Sequence, residues 1–129
     1  MYMIDINHWK QKIPVDYSNE SSVWIYQTTQ ALMIEQQRGI QQQIDAFTAH
    51  WLSHKQPVKA WGGIFFNHFV VLMADESITK VSGCSKDSMM RFVQSLESTY
   101  HITLLDRMSL AFLLNNQITF ITLNALPEK

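Results

Sequence analysis

Two apolar runs, AWGGIFF over 60–66 and FVVLMAD over 69–75, are separated only by Asn67 and His68. Each run is the length of a strand and rich in aromatic or β-branched residues, and a two-residue gap forces the second to return beside the first. The pattern predicts an antiparallel hairpin from Val58 to Asp75 with its turn at Asn67-His68. Alternation is nearly absent, so these strands expect cover on both faces, or a central place in a sheet. That requirement limits the rest of the chain to supplying further strands and helices around the hairpin.

The other segments fit that role. VWIYQTT, residues 23–29, reads as a strand. Ile40, Ile44, Phe47 and Trp51 recur at spacings of four, three and four, predicting a helix from about Ile34 to His54, with glutamines on its solvent face. Gly39 inside it points to a close contact or a bend. Met89, Val93, Leu96 and Tyr100, with Phe92 beside them, form the stripe of a second helix starting near Ser85. SLAFLL and QITFITL flank Asn115-Asn116 as a second hairpin. Ile6, Trp9 and Ile13 predict a short N-terminal helix stopped by Pro14, and VDYSNESS, residues 15–22, reads as a polar connector. The expected class is α+β: a mainly antiparallel sheet of about five strands, two main helices packed on it, and the short N-terminal helix, in a single domain over 1–129.

Composition narrows the function classes. A chain of 129 residues with 47% hydrophobic and 12% aromatic content can bury one core. Net charge is −1 and no basic block occurs, which argues against a nucleic-acid binder. One cysteine forms no internal disulfide and suits a reducing compartment. Neither a basic, apolar leader nor a run of about 20 apolar residues is present, so a soluble, cytoplasmic protein without a membrane span is expected.

VWIYQ at 23–27, GGIFFNHFVVLMADE at 62–76, VSGCSKDS at 81–88 and LLDR at 104–107 together resemble a family of small, uncharacterised bacterial proteins often labelled "ABC transporter ATPase". The resemblance covers about 4–107 and implies no established activity or catalytic residues. The label meets a physical objection: a P-loop needs G-x-x-x-x-G-K-[ST] to wrap phosphates with its amides and lysine. None of Gly39, Gly62, Gly63 and Gly83 is followed by that lysine and hydroxyl.

VSGCSKDS holds the first candidate for chemistry. Ser85, Lys86, Asp87 and Ser88 resemble a helix start, with a hydroxyl cap and a carboxylate in the first turn, and Gly83 would allow a tight approach from the preceding strand. Cys84 then lies at the positive end of a helix, which favours a negatively charged sulfur as nucleophile. The same amides, with Gly83, Cys84, Ser85, Asp87, Ser88 and Arg91 around them, are expected to take a small anionic ligand, although Asp87 opposes an incoming anion. The bland alternative is a capped helix with a small side chain in its first turn. Asp75, at the end of the apolar strand, is the second catalytic candidate; Arg91 or Asp106-Arg107 would instead make it an ion-pair residue. His50 and His54 are four apart on the long helix, but no Glu separates them as in H-E-x-x-H and no third ligand is evident, so no metal is expected. No cofactor motif and no G-x-S-x-G occur. Two functions follow: a binding or interaction module for a protein or a small ligand, with an exposed sheet face or the apolar C-terminal hairpin available for a homodimer, or an enzyme using Cys84 in thiol or hydrolytic chemistry.

Overall fold

A computed structural model describes residues 2–4, 14, 16–106, 110–114 and 117–121. In chain order the elements are β1 (Tyr2–Ile4), β2 (Ser21–Thr28), α1 (Ile34–His50), β3 (Leu52–Ser53), β4 (Gln56–Pro57), β5 (Lys59–Phe65), β6 (Phe69–Asp75), α2 (Gly83–Tyr100), β7 (Leu104–Asp106), β8 (Leu110–Leu114) and β9 (Gln117–Ile121). The class is α+β and every strand pairing is antiparallel. The main sheet runs β1-β9-β8-β2-β6-β5, with β7 joining β2 beside β8. Among the described residues it therefore has seven strands rather than about five; the additions are β1 and β7. The helix expected before Pro14 lies outside the described residues.

Of the 60–75 hairpin, β6 is an interior strand, as its apolar run demanded, whereas β5, expected to be equally central, forms an edge of the sheet. β6 pairs with β5 on one edge and with β2 on the other, and Val70 to Ala74 are wholly excluded from solvent. Alternate residues face opposite ways. Tyr26, Val70, Leu72, Ala74 and Ile64 meet Ile40 and Ile44 of α1 and Met89, Val93 and Leu96 of α2 in one core. Val23, Ile25, Val71, Met73 and Phe65, of the opposite parity, are buried as well. Both stripes read from the sequence thus pack as expected. Phe47 completes the layer by stacking on Phe92 at 4.5 Å.

Two glycines mark close approaches. A Cβ on Gly62 would stand 2.5 Å from Ile44 Cγ2 and 2.8 Å from Leu72 Cδ2, so α1 lies against β5 only because that side chain is missing. Gly39 admits the Tyr100 ring of α2, whose hydroxyl would be 2.2 Å from a Cβ there, and this is the close contact its place in the helix implied. β5 ends the sheet, and Gln41 Nε2 of α1 donates to its Gly62 carbonyl at 3.1 Å, occupying part of an edge that could otherwise recruit another strand.

Three local expectations are corrected. α1 stops at His50, not His54: Trp51 leaves the helix with extended backbone, packs on Trp24 and Phe47 and donates its indole N–H to Ser85 O at 3.0 Å. The segment beyond makes the small β3–β4 hairpin, with His54 and Lys55 at positive φ. The β5–β6 turn is a three-residue loop, with Phe66 and Asn67 at positive φ and His68 N–H bonded to Phe65 O. It is pulled that way by its neighbours, since Thr28 N–H bonds to His68 O and Leu32 N–H to Asn67 O. The cap of α2 is Ser82, whose side chain accepts the Ser85 N–H at 3.1 Å.

Gly62→Ala should lower stability by about 1–3 kcal/mol through overpacking at the α1–β5 contact. A urea midpoint equal to that of the wild type would refute so close an approach.

Candidate functional site

The expected corner is built differently from its sequence reading. With Ser82 as cap, Gly83 and Cys84 are the first two residues of α2 and Ser85 is the third. Ser85 is buried; its hydroxyl donates to Leu52 O at 2.7 Å and contacts Ser82 Oγ at 2.8 Å. Ser82 N–H in turn bonds to Ser53 Oγ at 3.2 Å. Ser85 therefore fastens α2 to the β3–β4 hairpin. Gly83 makes no tight approach: a Cβ there would meet nothing within 4 Å. Cys84 is exposed. Asp87 falls beyond the first turn, which has no acidic residue. Ser88 Oγ donates to Cys84 O at 3.2 Å, and Arg91 Nη2 donates to Ser88 Oγ at 3.3 Å. The structure thus gathers Gly83, Cys84, Ser85, Asp87, Ser88 and Arg91 on successive turns of one helix, with Ser85 turned inward and the sulfur outward.

Asp75 belongs to a different place. It is the last residue of β6, and the register sets it between Ser21 of β2 and Lys59 of β5. Its carboxylate is 5% exposed. Ser18 N–H donates to Oδ2 at 2.9 Å, Ser18 Oγ donates to Oδ1 at 2.7 Å, and Ser77 N–H donates to Oδ1 at 3.0 Å. Lys59 Nζ approaches at 3.8 Å. Burial pushes this carboxyl up, but the Ser18 side-chain and backbone bonds, followed by those from Ser77, outweigh it and hold the group well below the usual carboxylate range. A general base or acid working near neutrality needs the opposite shift. Asp75 is built as an anchor that ties the connector before β2 and the loop after β6 to the end of the sheet, and its cation is Lys59 rather than Arg91.

Lys59 is the hub of the surrounding cleft. Its ammonium donates to Asp16 O at 2.7 Å, pairs with Asp16 Oδ2 at 3.1 Å and lies 4.8 Å from the centre of the Tyr17 ring. The Tyr17 hydroxyl is pushed up to about 12 by burial and then by the Asp16 and Asp75 carboxylates, so it stays protonated at neutral pH. The cleft has a volume of about 550 Å³, and Pro57, Ser77, Ile78 and Thr79 complete its walls. Glu76 fixes the rim: it accepts the Ser22 hydroxyl on one oxygen and the Val81 N–H, at 2.8 Å, on the other.

Sequence reasoning missed Asp16, Tyr17, Ser18, Lys59 and Ser77 as a group. They come from three separate segments and meet only through the β2–β6–β5 register, and VDYSNESS carries no motif beyond polarity. Cys84 does not line the cleft. Among the described residues, no three His, Cys, Asp or Glu side chains converge as a metal site, and no helix is long and apolar enough to cross a membrane. Comparison of the chain with models of protein families, with curated proteins and with solved structures finds no match.

The Asp75 anchor has a pH signature. Its pKa is depressed by folding, so its contribution is fully present above the ordinary carboxyl value of 3.8 and is lost as pH falls below that value toward the native one. Urea midpoints measured from pH 6 down to pH 2 should decline over that acid range. Asp75→Asn should flatten the decline and cost about 2–3 kcal/mol at pH 7, the scale of lost hydrogen bonds to a charged group.

Proposed function

We propose that this protein is a small binding module without P-loop ATPase activity, and that its ligand enters the cleft between the 16–18 connector and the 77–79 loop. The observation that carries the reading is the Asp75 anchor. It holds both walls of the cleft in place through the chain's own hydrogen bonds, while the neighbouring Lys59, Tyr17 and Asp16 still face the opening. Preorganised walls reduce the ordering cost of binding, and a cleft of this volume with a few convergent polar groups is the usual form of a small-molecule site. The resemblance to the small bacterial family and a cytoplasmic location belong to the same proposal.

An NMR screen with a small-fragment set tests it. Amide shifts should change at Tyr17, Ser18, Ser77 and Thr79; silence of these amides at millimolar fragment concentrations would remove the cleft from consideration.

A second reading rests on the exposure of Cys84 at the start of α2: an enzyme that uses this sulfur as nucleophile, with anionic substrates drawn to the helix end. It predicts alkylation by iodoacetamide at pH 7 at least tenfold faster than that of free cysteine, the scale of an activated thiol. A rate equal to or below that of free cysteine rejects it.

A further inference from the structure

We infer that the cleft selects a small organic cation, an ammonium group carried on an apolar body. This rests on the cleft being the binding site, and it goes further by fixing the charge and shape of the ligand. Three features of the cleft carry it.

The first is how the cleft already treats an ammonium. Lys59 Nζ is received by a carboxylate oxygen and a carbonyl oxygen of Asp16, by the face of the Tyr17 ring, and at longer range by Asp75. Carboxylate, carbonyl and aromatic face together are the chemistry that recognises an alkylammonium. Lys59 shows that these groups can meet around one.

The second is the charge left over. Asp16 and Asp75 share one ammonium, which leaves the described lining with one net negative charge. Glu20 and Glu76 lie outside the lining and are not counted. Lys80 follows Thr79 but lies outside the lining. Asp75 is saturated by its donors, so the group free to receive a ligand is Asp16. Its side chain is 72% exposed, and its Oδ1 accepts no hydrogen bond from a described residue while Oδ2 holds Lys59. An incoming ammonium can therefore pair with Asp16 without displacing Lys59. An anion would have to approach a net negative wall.

The third is the apolar shelf. Ile78 is 93% exposed, and it lines the cleft together with Pro57 and the partly buried Tyr17. These surfaces offer an apolar body burial that a bare ammonium or a metal ion would not use.

Three matched probes separate the elements of the proposal: phenethylamine, phenylacetate and phenethyl alcohol, titrated into the full chain and followed through the amides of Tyr17, Ser77 and Thr79. Phenethylamine should bind at least threefold more tightly than the alcohol, and phenylacetate should be the weakest. The preference should shrink when salt is raised from about 50 to 500 mM, because exposed charges are then screened. Asp16→Asn should weaken phenethylamine about two- to fivefold, the range of an exposed ion pair, and leave the alcohol unchanged. Glu35→Gln, on the exposed first turn of α1, should change nothing. Equal binding of amine and alcohol, a preference for phenylacetate, or an Asp16→Asn variant that binds phenethylamine like the wild type overturns the cation proposal and leaves a cleft that binds ligands of another class. If none of the three probes moves these amides, the cation proposal falls together with the cleft as a site.

Discussion

A strand with no solvent face governs this fold. From Val70 to Ala74 the β6 chain exposes nothing, so its backbone groups must pair on both edges and its side chains must be covered on both faces. β2 and β5 satisfy the edges. α1 and α2 cover the Val70, Leu72 and Ala74 side, with Gly62 letting α1 come close enough to do so. Most of the remaining arrangement follows from that demand.

The same strand ends on a charge, and the polar architecture starts there. Once Asp75 is placed between Ser21 and Lys59 by register, its carboxylate leaves water and has to be met by donors. Ser18 and Ser77 supply them from the segments on either side. A buried anion so satisfied draws two otherwise unrelated loops together, and the cleft is the space between them. The loop after Ser77 then passes to α2, where Ser53, Ser82 and Ser85 bond in sequence and the Trp51 indole N–H closes onto Ser85 O. The hydroxyl-rich stretch around Cys84 is thus explained in part by docking: one of its serines caps, and another fastens the helix to the β3–β4 hairpin.

The two candidate places differ in what their polar groups are free to do. Around Cys84 the sulfur is open, but its neighbours Ser85 and Ser88 are committed to carbonyl oxygens. In the cleft the buried member, Asp75, is fully engaged, whereas Asp16 keeps an open carboxylate oxygen beside an aromatic ring and an exposed isoleucine. Binding needs only such complementary surfaces. Nucleophilic catalysis also needs a base within hydrogen-bond reach of the nucleophile, and no described hydrogen bond joins Cys84 Sγ to one.

The sequence by itself determined the hairpin at 58–75, the two helical stripes with their buried residues, and the α+β class. These depend on periodicity and on short chain separations, which are properties of neighbouring residues. It also marked Gly39 as a close contact or a bend, since glycine inside an apolar-striped helix needs a reason, and the Tyr100 ring decides for the contact. It misjudged the end of α1, because Trp51 continues the stripe in spacing while serving the core from extended backbone. It placed the α2 cap three residues late, because Ser82 and Ser85 are equally good caps until one of them is buried against Leu52. The cleft was decided by tertiary structure alone. Asp16, Lys59 and Asp75 lie up to 59 positions apart in the chain, and only strand register, fixed by which faces are buried, brings a carboxylate, an ammonium and an aromatic ring to the same corner.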